Sequence, residues 1–173
     1  MTRMTSAYAN KMLKKLSDDK AYILSNEADA STYTATVEEE PVIPEYDYEK
    51  TARDLEEIDE KTVRIKHAIN LANATNLITV GDRQMTADMI LVRMAQLNNR
   101  LEKLDRMRKR LPKERVESLY SRKASTLPEY NYANYDIEQA RKDYEAMSKT
   151  VLDMQMALDK YNQTVEFDVD VDM

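Results

Sequence analysis

Cysteine and tryptophan are absent from this 173-residue chain, which also holds one glycine, one histidine, one phenylalanine and four prolines. Without cysteine there is no disulfide framework and no thiolate metal site, which fits a reducing compartment. Scarce glycine and proline point away from a turn-rich β fold and toward helix. No run of about 18 apolar residues occurs, so no transmembrane helix is expected. The opening MTRMTSAYANKMLKKL lacks the apolar core of a secretion signal. A cytoplasmic location with no membrane partner follows as the expectation. The net charge of -6 disfavours unaided binding to bulk nucleic acid or to an anionic membrane.

What is present is helical periodicity. From Ile137 to Val165 the apolar positions alternate in steps of three and four: Ile137, Ala140, Tyr144, Met147, Val151, Met154, Leu158, Tyr161 and Val165. Such a helix buries one narrow stripe and leaves the rest wet. Leu55, Ile58, Thr62, Ile65, Ile69 and Ala72 repeat the pattern, as do Ile90, Met94, Leu97, Leu101 and Leu104. A weaker stripe comprises Ala9, Met12, Leu13, Leu16 and Ile23. Helices are therefore expected over about 6–28, 48–74, 86–111 and 136–164. Thr86 is a plausible N-cap, and Asp136 with Gln139 resembles a capping box. Charged residues, 34% of the chain, suit solvated outer faces.

Three stretches break the helical period. Thr32–Val37 is β-branched and alternating, and Tyr130 and Tyr132 also alternate. Phe167, Val169 and Val171 alternate with Asp168, Asp170 and Asp172. Short strands are expected over 32–37, 130–135 and 165–171, the last pairing with one of the others. Residues 75–85 link two helices of similar length, with a tight turn at Gly81. The fold expected is mainly α, a single helical domain over 1–173. The second and third helices, each roughly 36 Å long at 1.5 Å per residue, would form an antiparallel hairpin with coiled-coil-like packing. The first and fourth helices would flank it, and a small antiparallel β element would close one end.

Ile69-Asn70-Leu71-Ala72-Asn73 resembles the I-N-x-T-N signature of the septicolysin-like family of small bacterial helical proteins. Gly81 with Met85-Thr86 resembles that family's G…L-T step into a helix, and Arg93 sits where a helical arginine follows. Asn162-Gln163-Thr164-Val165-Glu166-Phe167 is similar to its N-W-x-T-E-L ending, with Gln163 in place of Trp; Ala72 likewise replaces Thr. The resemblance spans the second to fourth helices and implies a helical, oligomeric protein.

No catalytic, cofactor or metal motif stands out. His67 flanks a seam without an acid or base partner motif, and a structural role is favoured. Asn70 and Asn73 lie one turn apart beside a seam. Capping and register specification are favoured for them, against a polar pocket formed with Arg93, Asn98 and Asn162. Asp168, Asp170 and Asp172 resemble a calcium loop, but lack its turn glycine and closing Glu, so a solvated strand face is favoured. Arg106, Arg108, Lys109, Arg110, Lys113 and Arg115 follow Arg100 and Lys103. Cations near a helix C-terminus complement its dipole, and phosphate contacts are the alternative. Among the tyrosines outside the seams, Tyr130, Tyr132 and Tyr135 are the preferred contacts for an unknown protein partner, near Tyr120.

The leading expectation is a non-enzymatic structural or protein-interaction module that forms a homo-oligomer, because narrow seams invite a neighbour. One alternative is a nucleic-acid-associated protein using the basic stretch 100–115. Another is a small-molecule binder or enzyme with a polar site near Asn70, Asn73 and Arg93. Charge reversal of Arg108, Lys109 and Arg110 tests the nucleic-acid alternative. That alternative requires the variant to lose binding in a gel-shift titration at low salt, and unchanged binding would dismiss it.

Overall fold

The computed structural model describes residues 1–38, 40–116 and 128–171. Their order is β1 (Thr2–Thr5), α1 (Ser6–Ala30), α2 (Tyr48–Thr75), β2 (Leu77–Val80), β3 (Arg83–Thr86), α3 (Ala87–Arg108), β4 (Lys113–Arg115), β5 (Tyr130–Tyr132), α4 (Ile137–Thr164) and β6 (Glu166–Val169). The chain is mainly helical, with small two-stranded antiparallel sheets. Contacts divide it into two compact units, Met1–Asn76 with Asp159–Met173, and Leu77–Leu158.

In the first unit, α1 begins where Thr5 accepts a hydrogen bond from the Tyr8 amide. Asp47 does the same for α2 through the Lys50 amide, 3.0 Å away. These side chains satisfy amides that the first turn of a helix leaves without a partner. α1 packs on α2, and α2 packs on β6. The core joins Met4, Ala9, Ile65, Val169 and Val171, with Met12, Leu13, Leu16, Ile69 and Phe167 packed against it. β1 pairs with β6, with Met4 opposite Phe167 and Thr2 opposite Val169. The Thr2 hydroxyl donates to the Val171 carbonyl at 3.1 Å and extends the hold on the C-terminal segment. Further along, Lys20 of α1 meets Asp59 of α2 at 2.6 Å.

The loop between α1 and α2 is tied back to α1 by the Tyr46 phenol, which donates to Glu27 at 2.6 Å. That hydrogen bond, followed by desolvation and the Glu27 charge, pushes the phenol up to about 12.

In the second unit, β2 and β3 form a hairpin with Val80 opposite Arg83, leaving Gly81 and Asp82 as the loop. Gly81 has φ of 61°, while no other described residue has positive φ. Positive φ at the first loop position only is the II′ pattern, whose twist matches the flanking strands. β3 leads directly into α3. Thr86 is the N-cap position, but its hydroxyl bonds Asp88 and not a backbone amide. At α4 the Asp136 carboxylate accepts from the amides of Glu138 (2.9 Å) and Gln139 (3.2 Å). The Gln139 side chain turns to Asp143, so only half of the expected capping box forms.

The four helices lie close to their expected bounds. α3 ends at Arg108 and not 111, since Pro112 disfavours helical backbone at Leu111. Residues 32–37 are not a strand. A strand needs a partner ladder, and β1 occupies the pairing with β6 while β4 takes β5. Val37 is fully exposed. The strand that does pair with β6 is Thr2–Thr5, which carries no alternating signal of its own. The segment 75–85 holds a two-stranded hairpin around the turn that Gly81 predicts. Within the units the neighbouring helices are α1 with α2, and α3 with Ile137–Leu158 of α4.

Two stability changes follow. No atom lies within 4 Å of where a Gly81 Cβ would sit, so Gly81→Ala meets only backbone strain. Its expected cost is about 1–2 kcal/mol in urea unfolding, with Gly81→Asn milder. Ile65, with 0% of its surface exposed, should lose about 2–5 kcal/mol on change to Ala. Val63, two residues earlier and 66% exposed, should change by less than about 0.5 kcal/mol.

Candidate functional site

Seam residues of α3 and α4 line one cleft in the second unit. At one end the Tyr135 hydroxyl donates to the Met107 carbonyl at 2.8 Å, and the Arg108 guanidinium stands 4.0 Å over the Tyr144 ring. The end of α3 thus lies against the start of α4, and the helices run antiparallel. Between these helices and the β2–β3 loop opens a cleft of about 710 Å³. Leu97, Leu104, Met147 and Met154 give it an apolar floor.

The two sides of the cleft carry opposite charge. Arg93 and Arg100 line it from α3 and Arg83 from β3, with Asp82 beside them; Asp143 and Asp153 line it from α4. Among the described residues, none of the three arginines has a carboxylate within ion-pair distance. The described ion pairs of this unit are Arg108–Asp105, Lys109–Asp105, Arg141–Glu138 and Lys149–Asp153. Asp153 is held by Lys149 at 2.8 Å, and Asp143 accepts from Gln139 at 2.8 Å. The one hydroxyl in the lining, Thr150, donates to the Ala146 carbonyl. The cleft thus sets an apolar floor between a basic and an acidic wall.

Of the predicted polar residues, Asn70, Asn73 and Asn162 belong to the first unit and Arg93 and Asn98 to the second. Asn70 is exposed, while Asn73 and Asn162 are half-buried, and no hydrogen bond joins any two of them among the described residues. The Asn73 carboxamide oxygen is buried without a partner. Arg93 belongs to the second unit and donates to Gln96 at 3.3 Å. Asn98 lines a separate surface hollow with Tyr144. A neighbouring amide, Asn76, donates to the buried Tyr161 hydroxyl at 3.2 Å.

His67 is exposed, beside a hollow of about 500 Å³ with Leu71 and Phe167. Asp168 and Asp170 are exposed, as expected of a solvated face. Arg3 lies 3.8 Å from Glu166 and Asp168, and Arg64 lies 4.0 Å from Asp170. No cluster of metal-ligating side chains occurs among the described residues. Asp172 and Tyr120 lie outside them.

Within the basic stretch, Asp105 pairs with both Arg108 and Lys109. Hydrogen bonds from Lys109 and then Arg108 lower the Asp105 carboxyl below its ordinary value. Lys113 sits 4.0 Å above Tyr130 and 5.4 Å above Tyr132. Those two rings, exposed on β5, stand 6.5 Å apart. Tyr135 is turned inward against α3, so it joins the two helices and not the exposed pair. Lys103, Arg106 and Arg110 surround a small cavity of about 220 Å³. Glu114 stands between Lys113 and Arg115 on β4.

Arg83, Asp143 and Asp153 escaped the sequence reading. A signal was there: Arg93 and Arg100 are seven apart, beside Leu97 and Leu104, which are also seven apart. On α4 the carboxylates are ten apart, Asp143 four before Met147 and Asp153 directly before Met154.

No family model matches this chain, and no curated protein matches it. Among solved structures it is similar to a functionally unknown conserved protein from Corynebacterium diphtheriae, at 16% identity and a TM-score of 0.56, over 96% of this chain and 100% of that one. At that identity the likeness shows the fold alone.

Asp105 gives a pH test. A carboxylate with a lowered folded-state pKa adds stability that is full above its unfolded value, near 3.9, and is lost as pH falls through the folded value. The Asp105→Asn variant should melt below the wild type at neutral pH, and the gap should close on acidification. Paired melting curves across that range check it.

Proposed function

We propose that this protein is a non-enzymatic protein-interaction module that self-assembles, with coiled-coil-like packing along its seams. The α3–α4 cleft is the observation that carries this reading. Its apolar floor and unpaired arginines resemble half of an interface more than a reaction chamber. Met89 on α3, exposed and one turn before Arg93, adds apolar surface that association would cover. The resemblance to the septicolysin-like family agrees with a helical, oligomeric protein. The absence of cysteine fits a cytoplasmic setting, and no helix among the described residues is long and apolar enough to cross a membrane.

The basic stretch offers less to a nucleic acid than its composition promised, because Asp105 engages two of its cations and tyrosine rings cover a third. Size-exclusion chromatography with light scattering, read at two ultraviolet wavelengths, tests both readings. The expected result is a clean multiple of 20.2 kDa with a protein-only absorbance ratio. A monomer at every concentration would overturn self-assembly. A peak carrying nucleic acid would move the function to the basic stretch.

A further inference from the structure

We propose that the α3–α4 cleft is the face on which a second copy of this chain docks, in a two-fold dimer that sets the arginine wall of each copy against the aspartate wall of the other. The proposal rests on the self-assembly reading above and names its surface and geometry. The argument starts from charge. Arg93 and Arg100 line one side and Asp143 and Asp153 the other, yet no ion pair crosses between them. Counting down α3 and up α4 brings Arg93 level with residue 149 from the Met107–Tyr135 contact and with residue 159 from the Arg108–Tyr144 contact, a span that contains Asp153. The same count sets Arg100 level with residues 142 to 152, a span that contains Asp143.

Two face-to-face arrangements have two-fold symmetry. With the axis across the helices, α3 lies on α3 and four guanidiniums meet, which repels. With the axis along the cleft, the partner's α3 lies over this α4. Arginine then meets aspartate twice, by symmetry, and neighbouring helices stay antiparallel. Only the second arrangement is electrostatically self-complementary. Met89, 53% exposed and one turn before Arg93, extends the contact with an apolar rim. The Lys149–Asp153 pair is no obstacle, since both side chains are well exposed and such pairs exchange cheaply.

The test is a charge swap with mixing, on the full chain, read by sedimentation across a concentration series. Arg93→Glu with Arg100→Glu forms one variant, and Asp143→Arg with Asp153→Arg the other. Circular dichroism verifies that each remains helical. Each variant alone should dimerise at least about 100-fold more weakly than wild type. An equimolar mixture should recover the dimer, which two misfolded proteins would not do. Rising salt should weaken the wild-type dimer. Wild-type association that survives both swaps unchanged would overturn this face while leaving self-assembly standing. Association lost in each variant and not recovered on mixing would overturn the wall-to-wall pairing. A wild type that stays monomeric throughout would end both readings.

Discussion

A seam of one apolar residue every three or four positions gives each helix only a narrow face to hide, and the architecture follows from that width. Ile65, Ile90, Leu104 and Tyr161 are almost wholly covered, while Leu55, Met94, Leu101 and Met147 in the same seams remain partly open. A helix with a broader apolar face would sink into a thick core. These helices settle instead for one neighbour each within a unit, and their residual exposure shapes the α3–α4 cleft. Hydrophobic burial is non-directional, so it sets which face turns inward but leaves partner and register open.

Direction comes from the short strands and the polar ties. β1 and β6 bring the two ends of the chain together through four residue pairs, placing Met4 and Val169 in the same core as Ile65. The β2–β3 hairpin reverses the chain in two residues and delivers it into α3 with no slack. Tyr135 and Arg108 set the level of α3 against α4. The value of these contacts is geometric, since each removes a sliding freedom that a uniform seam would permit.

Electrostatics then separates the two charge-rich regions. Around Asp105 the charges are satisfied locally, and the carboxylate is lowered because two cations donate to it. In the cleft the arginines stand apart from their opposites. The same kinds of charge therefore lead to different outcomes: a self-contained cluster in one place, an unmet surface in the other. Composition averages over both, which is why a net charge of -6 says little about either.

The seams, the four helices, the turn at Gly81 and the strand at the C-terminal end were legible in the sequence, because periodicity and φ preference are local properties read within a few residues. The partner of each strand was not. Thr2–Thr5 and Glu166–Val169 are each too short to announce a sheet, and a β-branched run at 32–37 looked better than either while having no ladder to join. The candidate site was legible only in fragments: Arg93 was visible, while Arg83, Asp143 and Asp153 acquire meaning through being opposed across a cleft. Local sequence determined what each segment is. Which segments face each other, and which charges are left unmet, depends on contacts between residues far apart in the chain, and only the tertiary structure decided it.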